Sequence, residues 1–413
     1  MARLKVCLCG NETGVLSCDA QQRFSFQYTP QWINRTDVPP LSLSMPLTGE
    51  AYADEKARPF FTNLLPESSV REAVARKLGI SPRNEFALLE ALGGECAGAV
   101  TLLPPDAVIE NKYGYRKLSP GQFRQLMRDM PKKPLLAGEQ GIRLSLAGAQ
   151  HKLPVYLEGE HVFLPENGSP SSHILKPDIA GIAHSARNEA FCMALADRVG
   201  LRVPRSGMMA IPEEIYVVER YDRYRDEKGM LRRLHQEDFC QALGLMAETK
   251  YEAEGGPSLL DCVSLLDRFS SHPALDKKAL VEWVVFNYLI HNADAHAKNI
   301  SFLLGSDEIR ITPFYDLICT GVYESVQKKL AMKIGKENRP QWIVGRHWEQ
   351  LAVTVDIRAK LIMKTLREMA DKMIDAANAV ASEQQDLWGP SPVIPEIAKI
   401  IDRQVQHVRH FAG

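Results

Sequence analysis

The run Leu280–Ile290 is apolar almost throughout and contains Trp283, Val284, Val285, Phe286 and Leu289. It reads as a helix, and it ends abruptly in Asn292-Ala293-Asp294-Ala295-His296-Ala297-Lys298-Asn299. The junction constrains the fold: an apolar helix has to be packed, and the polar groups at its end have to be satisfied or used. The cluster places a carboxylate, Asp294, and an amide, Asn299, five positions apart. A second carboxylate, Asp316, follows seventeen residues later, after a run that reads as a β-hairpin.

These are the groups that phosphoryl transfer needs. Asp294 is the candidate that accepts or orients the proton of an attacking hydroxyl. Asn299 and Asp316 supply a neutral and a charged oxygen for Mg²⁺ held against ATP. Mg²⁺ keeps phosphate oxygens and waters in its shell, so two protein ligands are enough. Taken singly, each residue also fits a polar helix C-cap, with Lys298 offsetting the dipole. Taken together with Asp316 at a strand end, they point to a phosphotransferase. His296 reads as a brace for the loop beside the nucleotide, and a metal-ligand role with Asp294 is the other reading.

Bulk properties exclude several alternatives. Lys plus Arg is 50 against 51 for Asp plus Glu, so no global field draws the chain to nucleic acid or to a membrane surface. No apolar stretch reaches the ~18–20 residues that cross a bilayer, and the N-terminus does not read as a signal peptide. The 8 cysteines are scattered without a C-x-x-C pair, which suits buried, reduced thiols in the cytoplasm.

Residues 1–30 alternate and are broken by turn signals, as in an antiparallel meander. A Pro-rich passage follows, then helices at about 67–79 and 84–93, a strand within 94–103 and a short helix at 119–130. Pro131 and Pro134 mark a boundary. Next come a hairpin (Leu153–Leu157 with His161–Leu164), a strand His173–Pro177, a helix Ser185–Val199 and strands Ser206–Ile211 and Ile215–Tyr221. Beyond Gln236 the pattern is mostly helical: 236–243, 258–269, 275–291, 354–383 and 393–411. This order predicts an α+β chain in two lobes. Residues 1–138 form an N-terminal module, 139–235 a β-rich ATP-binding part, and 236–413 a helical lobe with the catalytic and metal loops.

Candidates for holding the nucleotide lie in the β-rich part. Lys176, on a short apolar strand, suits the α and β phosphates as a point charge with reach, and Glu189 on the next helix suits Lys176 as a partner. Ala147, Gly148 and Ala149 leave little side-chain bulk, so backbone amides in the loop that continues to Gln150 and Lys152 can approach phosphates. As a glycine loop this is weak, and an ordinary tight turn fits as well. Glu219-Arg220-Tyr221 ends a strand before a charged run, where a kinase places backbone groups on adenine.

With those residues in view, the chain resembles the HipA-type serine/threonine kinases, the toxin components of bacterial toxin–antitoxin pairs. The likeness rests on Pro40-Leu41-Ser42-Leu43-Ser44-Met45-Pro46-Leu47, Phe61-Thr62-Asn63-Leu64-Leu65-Pro66-Glu67 and Gly98-Ala99-Val100-Thr101-Leu102. It continues through Ser145-Leu146-Ala147-Gly148-Ala149-Gln150-His151-Lys152, Val218-Glu219-Arg220-Tyr221-Asp222-Arg223, Asp294 to Asn299, and Thr312-Pro313-Phe314-Tyr315-Asp316. The resemblance implies a two-lobed kinase-like fold with ATP in the cleft. It makes Asp294 the catalytic Asp, Asn299 and Asp316 the Mg²⁺ ligands, Lys176 the phosphate lysine and Glu219 to Tyr221 the adenine hinge. Gln150, Lys152 and His296 are counted with the nucleotide-contacting set. Ser145 matches a serine whose autophosphorylation inactivates family members. The implied partners are a small helix-turn-helix antitoxin of the HipB type, through it operator DNA, and a protein substrate of the translation machinery such as an aminoacyl-tRNA synthetase. Asn292 stands two before Asp294 where ordinary protein kinases have His, and Leu317-Ile318 replace their Phe-Gly. Two other readings remain open on the residues alone: a small-molecule kinase, and a non-catalytic corepressor of a DNA-binding antitoxin.

Overall fold

The computed structural model describes residues 1–107, 113–131, 133–139, 141–209 and 214–412. Two compact units form, and each draws on separated parts of the chain. The first contains Met1–Pro177, Val217–Glu248 and Ser301–Ile309; the second contains Asp178–Tyr216, Thr249–Ile300 and Arg310–Gly413.

In the first unit the expected meander is present as strands Ala2–Leu8, Asn11–Cys18 and Phe24–Tyr28. Val100–Leu103 pairs with the first of these from the other side, so it closes the sheet. Alternation explains the sheet: Leu4, Val6 and Leu8 go inward with Leu16, Phe24, Phe26 and Tyr28. Ser68–Leu78 and Glu85–Leu92 are helices, the first closed by left-handed Gly79 and the second opened by the Asn84 side chain. Helix Asp54–Thr62 was not expected, because it runs through Pro59. It survives the missing N–H by burying Phe60 and Phe61 completely.

The β-rich part contains the predicted hairpin as Leu153–Glu158 and His161–Glu166, with His173–Lys176 antiparallel to its first strand. The strand expected at Ser206–Ile211 spans Ser206–Met209, and residues 210–213 lie outside those described. Residues 236–243 are not one helix. Gln236–Asp238 is a strand paired antiparallel with Ser301–Leu304, and only Phe239–Leu243 is helical. Asp238 is the hinge between the two, since its carboxylate caps Gln241 N while Gln241 returns the bond.

That strand carries a buried carboxyl. Glu237 accepts from the Leu43 amide at 2.7 Å and meets the Ser42 hydroxyl at 2.6 Å, which pins the Pro-rich passage to it. Burial pushes the Glu237 carboxyl up to about 8. The folded form therefore holds a proton that the unfolded chain releases near its ordinary value, and stability falls as pH rises from the ordinary carboxylate range toward 8. Glu237→Gln keeps a donor and an acceptor in place without the titration. Urea melts at pH 5 and pH 8 should show the variant gaining on the order of 2–4 kcal/mol over wild type between the two.

The second unit is helical around Pro273–Leu289, where Trp283, Phe286, Tyr288 and Leu289 are buried. The helix expected at 354–383 runs Ala359–Trp388, and a further helix, Gly345–Val355, precedes it and ends where Asp356 turns left-handed. The longer one packs along Val393–Ala412. No helix among the described residues is long and apolar enough to cross a membrane. All eight cysteines are free thiols and seven are buried, but Cys9 is exposed at a hairpin turn.

Candidate active site

Helix Pro273–Leu289 stops because His291 takes a positive φ of 51°. Asn292 then stitches the end: its amide side chain donates to Asn287 Oδ1 at 2.8 Å and its own Oδ1 accepts from Asp294 N at 3.0 Å. Asn299 donates its Nδ2 to the Asp294 carbonyl at 2.9 Å. Two amides thus fix the backbone of Asp294 from both sides. Its neighbours in the cluster are buried, whereas the Asp294 side chain stays 48% exposed. Tyr251 donates to Asp294 Oδ1 at 2.5 Å, and the His296 Nε2 stands 3.6 Å from the same oxygen. His296 is buried, with its ring edge-on to Tyr251.

The second loop is tied to the first. Phe314 stacks on Trp283 with ring centroids 6.0 Å apart, and the Tyr315 hydroxyl donates to the Lys298 carbonyl at 2.9 Å. This bond joins the residue before Asp316 to the residue before Asn299. Asp316 itself adopts φ 55°, a left-handed conformation that only a minority of non-glycine residues tolerate. Downstream, Thr320 Oγ1 accepts from Ala293 N at 2.7 Å and donates to the His291 carbonyl at 3.0 Å. Asn188 clamps Cys319 by both its N–H and its C=O. Gly321 passes so close to His291 that a Cβ would meet the ring nitrogen at 2.9 Å. Burial, then the Glu189 carboxylate, and with them Asp316, push the Tyr216 phenol well above its ordinary value.

As a metal site, Asn299 and Asp316 fit a hard cation. With the Asn299 Nδ2 committed to Asp294, its remaining side-chain atom is an oxygen, and Asp316 adds a carboxylate. Among the described residues no group of three or more His, Cys, Asp or Glu is placed to hold a metal ion.

The other candidates lie in the first unit. Lys176 ends its strand and is buried. Ser145 is fully buried: its hydroxyl donates to Leu64 O at 2.7 Å and its amide to Glu95 O at 2.9 Å. Gly148 has φ 107°, where a side chain would be strained and would meet the Lys152 ammonium at 2.8 Å. Lys152 in turn donates to Ala147 O, and Gln150 to Pro177 O at 3.1 Å, so the Ala147–Ala149 turn is held by its own flanks. Glu219 is exposed at its strand end and Tyr221 donates to Gln236.

Between them, Arg220 points inward to a charge cluster that sequence reasoning missed. Glu95 accepts from Arg223 at 2.8 Å, from Arg233 at 2.9 Å and from the Ser171 amide and hydroxyl at 2.9 and 2.8 Å, with Arg220 at 3.3 Å. Asp222 accepts from Arg220 and from Gly98 N at 2.7 Å. Burial alone would raise the Glu95 carboxyl, but Arg223, Arg233 and Arg220 overcome it and hold it well below the usual carboxylate range. Residues 95–98 are thereby locked to the segment flanking Tyr221. Tyr251 was missed as well; it lies 43 residues before Asp294, in a loop with no local pattern to announce it.

Comparison with known proteins bears on the family and the fold. Residues 4–103 match the HipA N-terminal domain and residues 144–379 the HipA-like C-terminal domain. The chain is 39% identical over 406 residues to the putative kinase Y4mE of Sinorhizobium fredii, covering 97% of each. It is 32% identical over 380 residues to the serine/threonine-protein kinase toxin HipA of Shewanella oneidensis, covering 88% of this chain and 86% of that one. The solved structure of the Shewanella oneidensis HipA, HipB and operator DNA complex superposes with a TM-score of 0.83 at 28% identity, over 99% of this chain and 96% of that one. The α+β architecture is that of the kinase-like HipA fold, and the chain belongs to the HipA family.

Proposed function

We propose that this chain is an ATP- and Mg²⁺-dependent protein serine/threonine kinase and the toxin of a toxin–antitoxin pair, acting in the cytoplasm. The observation that carries the reading is the Tyr315–Lys298 bond, which draws the Asp316 and Asn299 loops together beside the open Asp294 carboxylate. The Asp294 carboxylate takes the proton of a serine or threonine hydroxyl as that oxygen bonds to the γ-phosphorus and the bond to ADP breaks. Asn299 and Asp316 would hold Mg²⁺, which when bound neutralises charge on the phosphates. Lys176 pairs with the phosphates, Ala147 to Lys152 offer amides to them, and Glu219 to Tyr221 hold adenine.

The family and the Shewanella complex support a HipB-like helix-turn-helix antitoxin as partner, with operator DNA bound through it. The proposed acceptor is a protein of the translation machinery, an aminoacyl-tRNA synthetase by the resemblance, and its modification stops growth. Ser145 is the proposed site of inactivating self-phosphorylation. Its buried hydroxyl requires that the segment first leave Leu64 and Glu95.

Titrated expression should arrest growth, and Asp294→Ala should abolish the arrest while the protein remains folded. After incubation with Mg-ATP, peptide mapping of the wild type should find phosphate on Ser145. Arrest that persists in Asp294→Ala would favour a corepressor role and end the kinase reading.

A further inference from the structure

We propose that Tyr251 is a positioning residue for Asp294, a role that rests on the kinase reading above. An aspartate on a loop, half exposed, has free side-chain torsions unless something holds the carboxylate. The bonds from Asn292 and Asn299 fix only the backbone of Asp294. His296 stands 3.6 Å away, beyond hydrogen-bond distance. The Tyr251 hydroxyl reaches Oδ1 at 2.5 Å. An ionised carboxylate only accepts, so the phenol is the donor, and a bond this short to a charged oxygen is of the strong class.

Tyr251 is itself held rigidly. Its carbonyl accepts from Glu254 N and Gly256 N, both at 2.9 Å. The next residue, Glu252, bonds Ala331 through its amide and Lys333 through its carboxylate, to the backbone N–H at 2.6 Å and to the ammonium at 3.1 Å. The Tyr251 ring packs edge-on against His296 at 5.3 Å, with the Lys250 ammonium 5.5 Å from its centre. A Cβ on Gly256 would fall 2.2 Å from Thr249 O, so this loop closes tightly on itself. The carboxylate is thus tied at Oδ1 to a fixed donor, and Oδ2 is the oxygen offered to the acceptor hydroxyl. Tyr251 orients the base and does not itself receive or transfer a group.

Tyr251→Phe keeps the ring and its contact with His296 and removes only the donor. The turnover number for phosphoryl transfer should fall roughly 10- to 100-fold, as misplacement of a reacting group does, with KM for ATP within about twofold of wild type. A second measurement needs no activity: urea unfolding of wild type, Tyr251→Phe, Asp294→Ala and the double variant. The effect of Tyr251→Phe should vanish in the Asp294→Ala background. An unchanged turnover number, a loss confined to KM, or additive stability effects would overturn the proposal. A wild-type protein inert toward ATP would instead remove the kinase reading, and the unfolding cycle would then decide the Tyr251–Asp294 contact by itself.

Discussion

Asp316→Asn should lower phosphoryl transfer by roughly 100- to 1000-fold while leaving the chain as stable as wild type. The choice of Asn follows from the backbone. Asp316 sits at φ 55°, and Asn is among the non-glycine residues that best accept the left-handed region. Alanine there would add a conformational cost and confuse lost chemistry with lost structure. Asn also keeps an oxygen where the carboxylate was, so what disappears is one negative charge at the proposed cation site. The defect should therefore ease at high Mg²⁺, whereas Asp294→Ala, which removes the proposed proton acceptor, should not respond to Mg²⁺ at all. ATP turnover across a Mg²⁺ titration separates the two, and thermal melts check that both variants fold. Equal Mg²⁺ responses would refute the assignment of Asp316 as ligand and Asp294 as base.

Glu95→Ala should cost about 3–5 kcal/mol of stability, the range for breaking a buried ion pair by removing one partner. The size comes from what is left behind. Arg220, Arg223 and Arg233 keep their positive charges in the interior, with Asp222 as the remaining carboxylate in the cluster. By contrast, Glu383→Ala breaks the Arg198–Glu383 pair at 2.7 Å, whose side chains are 44% and 56% exposed, and should leave stability close to wild type. The pH dependence has a sign. Because the Glu95 carboxyl is held low in the folded chain, its contribution is present above the ordinary carboxylate value and is lost as pH falls into the acid range. Urea melts of the two variants at neutral pH test the contrast; comparable losses would show that the cluster contributes no more than a surface pair.

What was legible in the sequence was what is encoded locally. Asp294 and Asn299 lie within one loop at the end of an apolar helix, so their association needed no knowledge of the fold. The hairpin Leu153–Glu166 announced itself by alternation around Glu158-Gly159-Glu160. Helix Ser185–Val199 ends at Gly200, whose φ of 101° is open to glycine and strained for most others. The misses share the opposite property. Gln236–Asp238 is a strand because Ser301–Leu304 pairs with it, and that partner stands more than sixty residues away. Glu95 looks like any helix-flanking acid until Arg220, Arg223 and Arg233 are brought to it. Tyr251 is one tyrosine among 12 until its hydroxyl meets Asp294. Long-range pairing carries no short-range signature, and the charge cluster, the donor to Asp294 and the small strand all depend on it.

The interleaving of the two units has a consequence for how the chain is made. The backbone passes between them after Pro177, Tyr216, Glu248, Ile300 and Ile309. During synthesis, residues 1–177 emerge long before the segments that complete their unit, and Glu95 is exposed before any of its three arginines has been added. At roughly 5–20 residues per second the delay until Ile309 is on the order of ten seconds. Neither unit can mature as an independent nascent domain. A ribosome that stalls before Ile309 releases a chain with both units unfinished and with Asp316 not yet added.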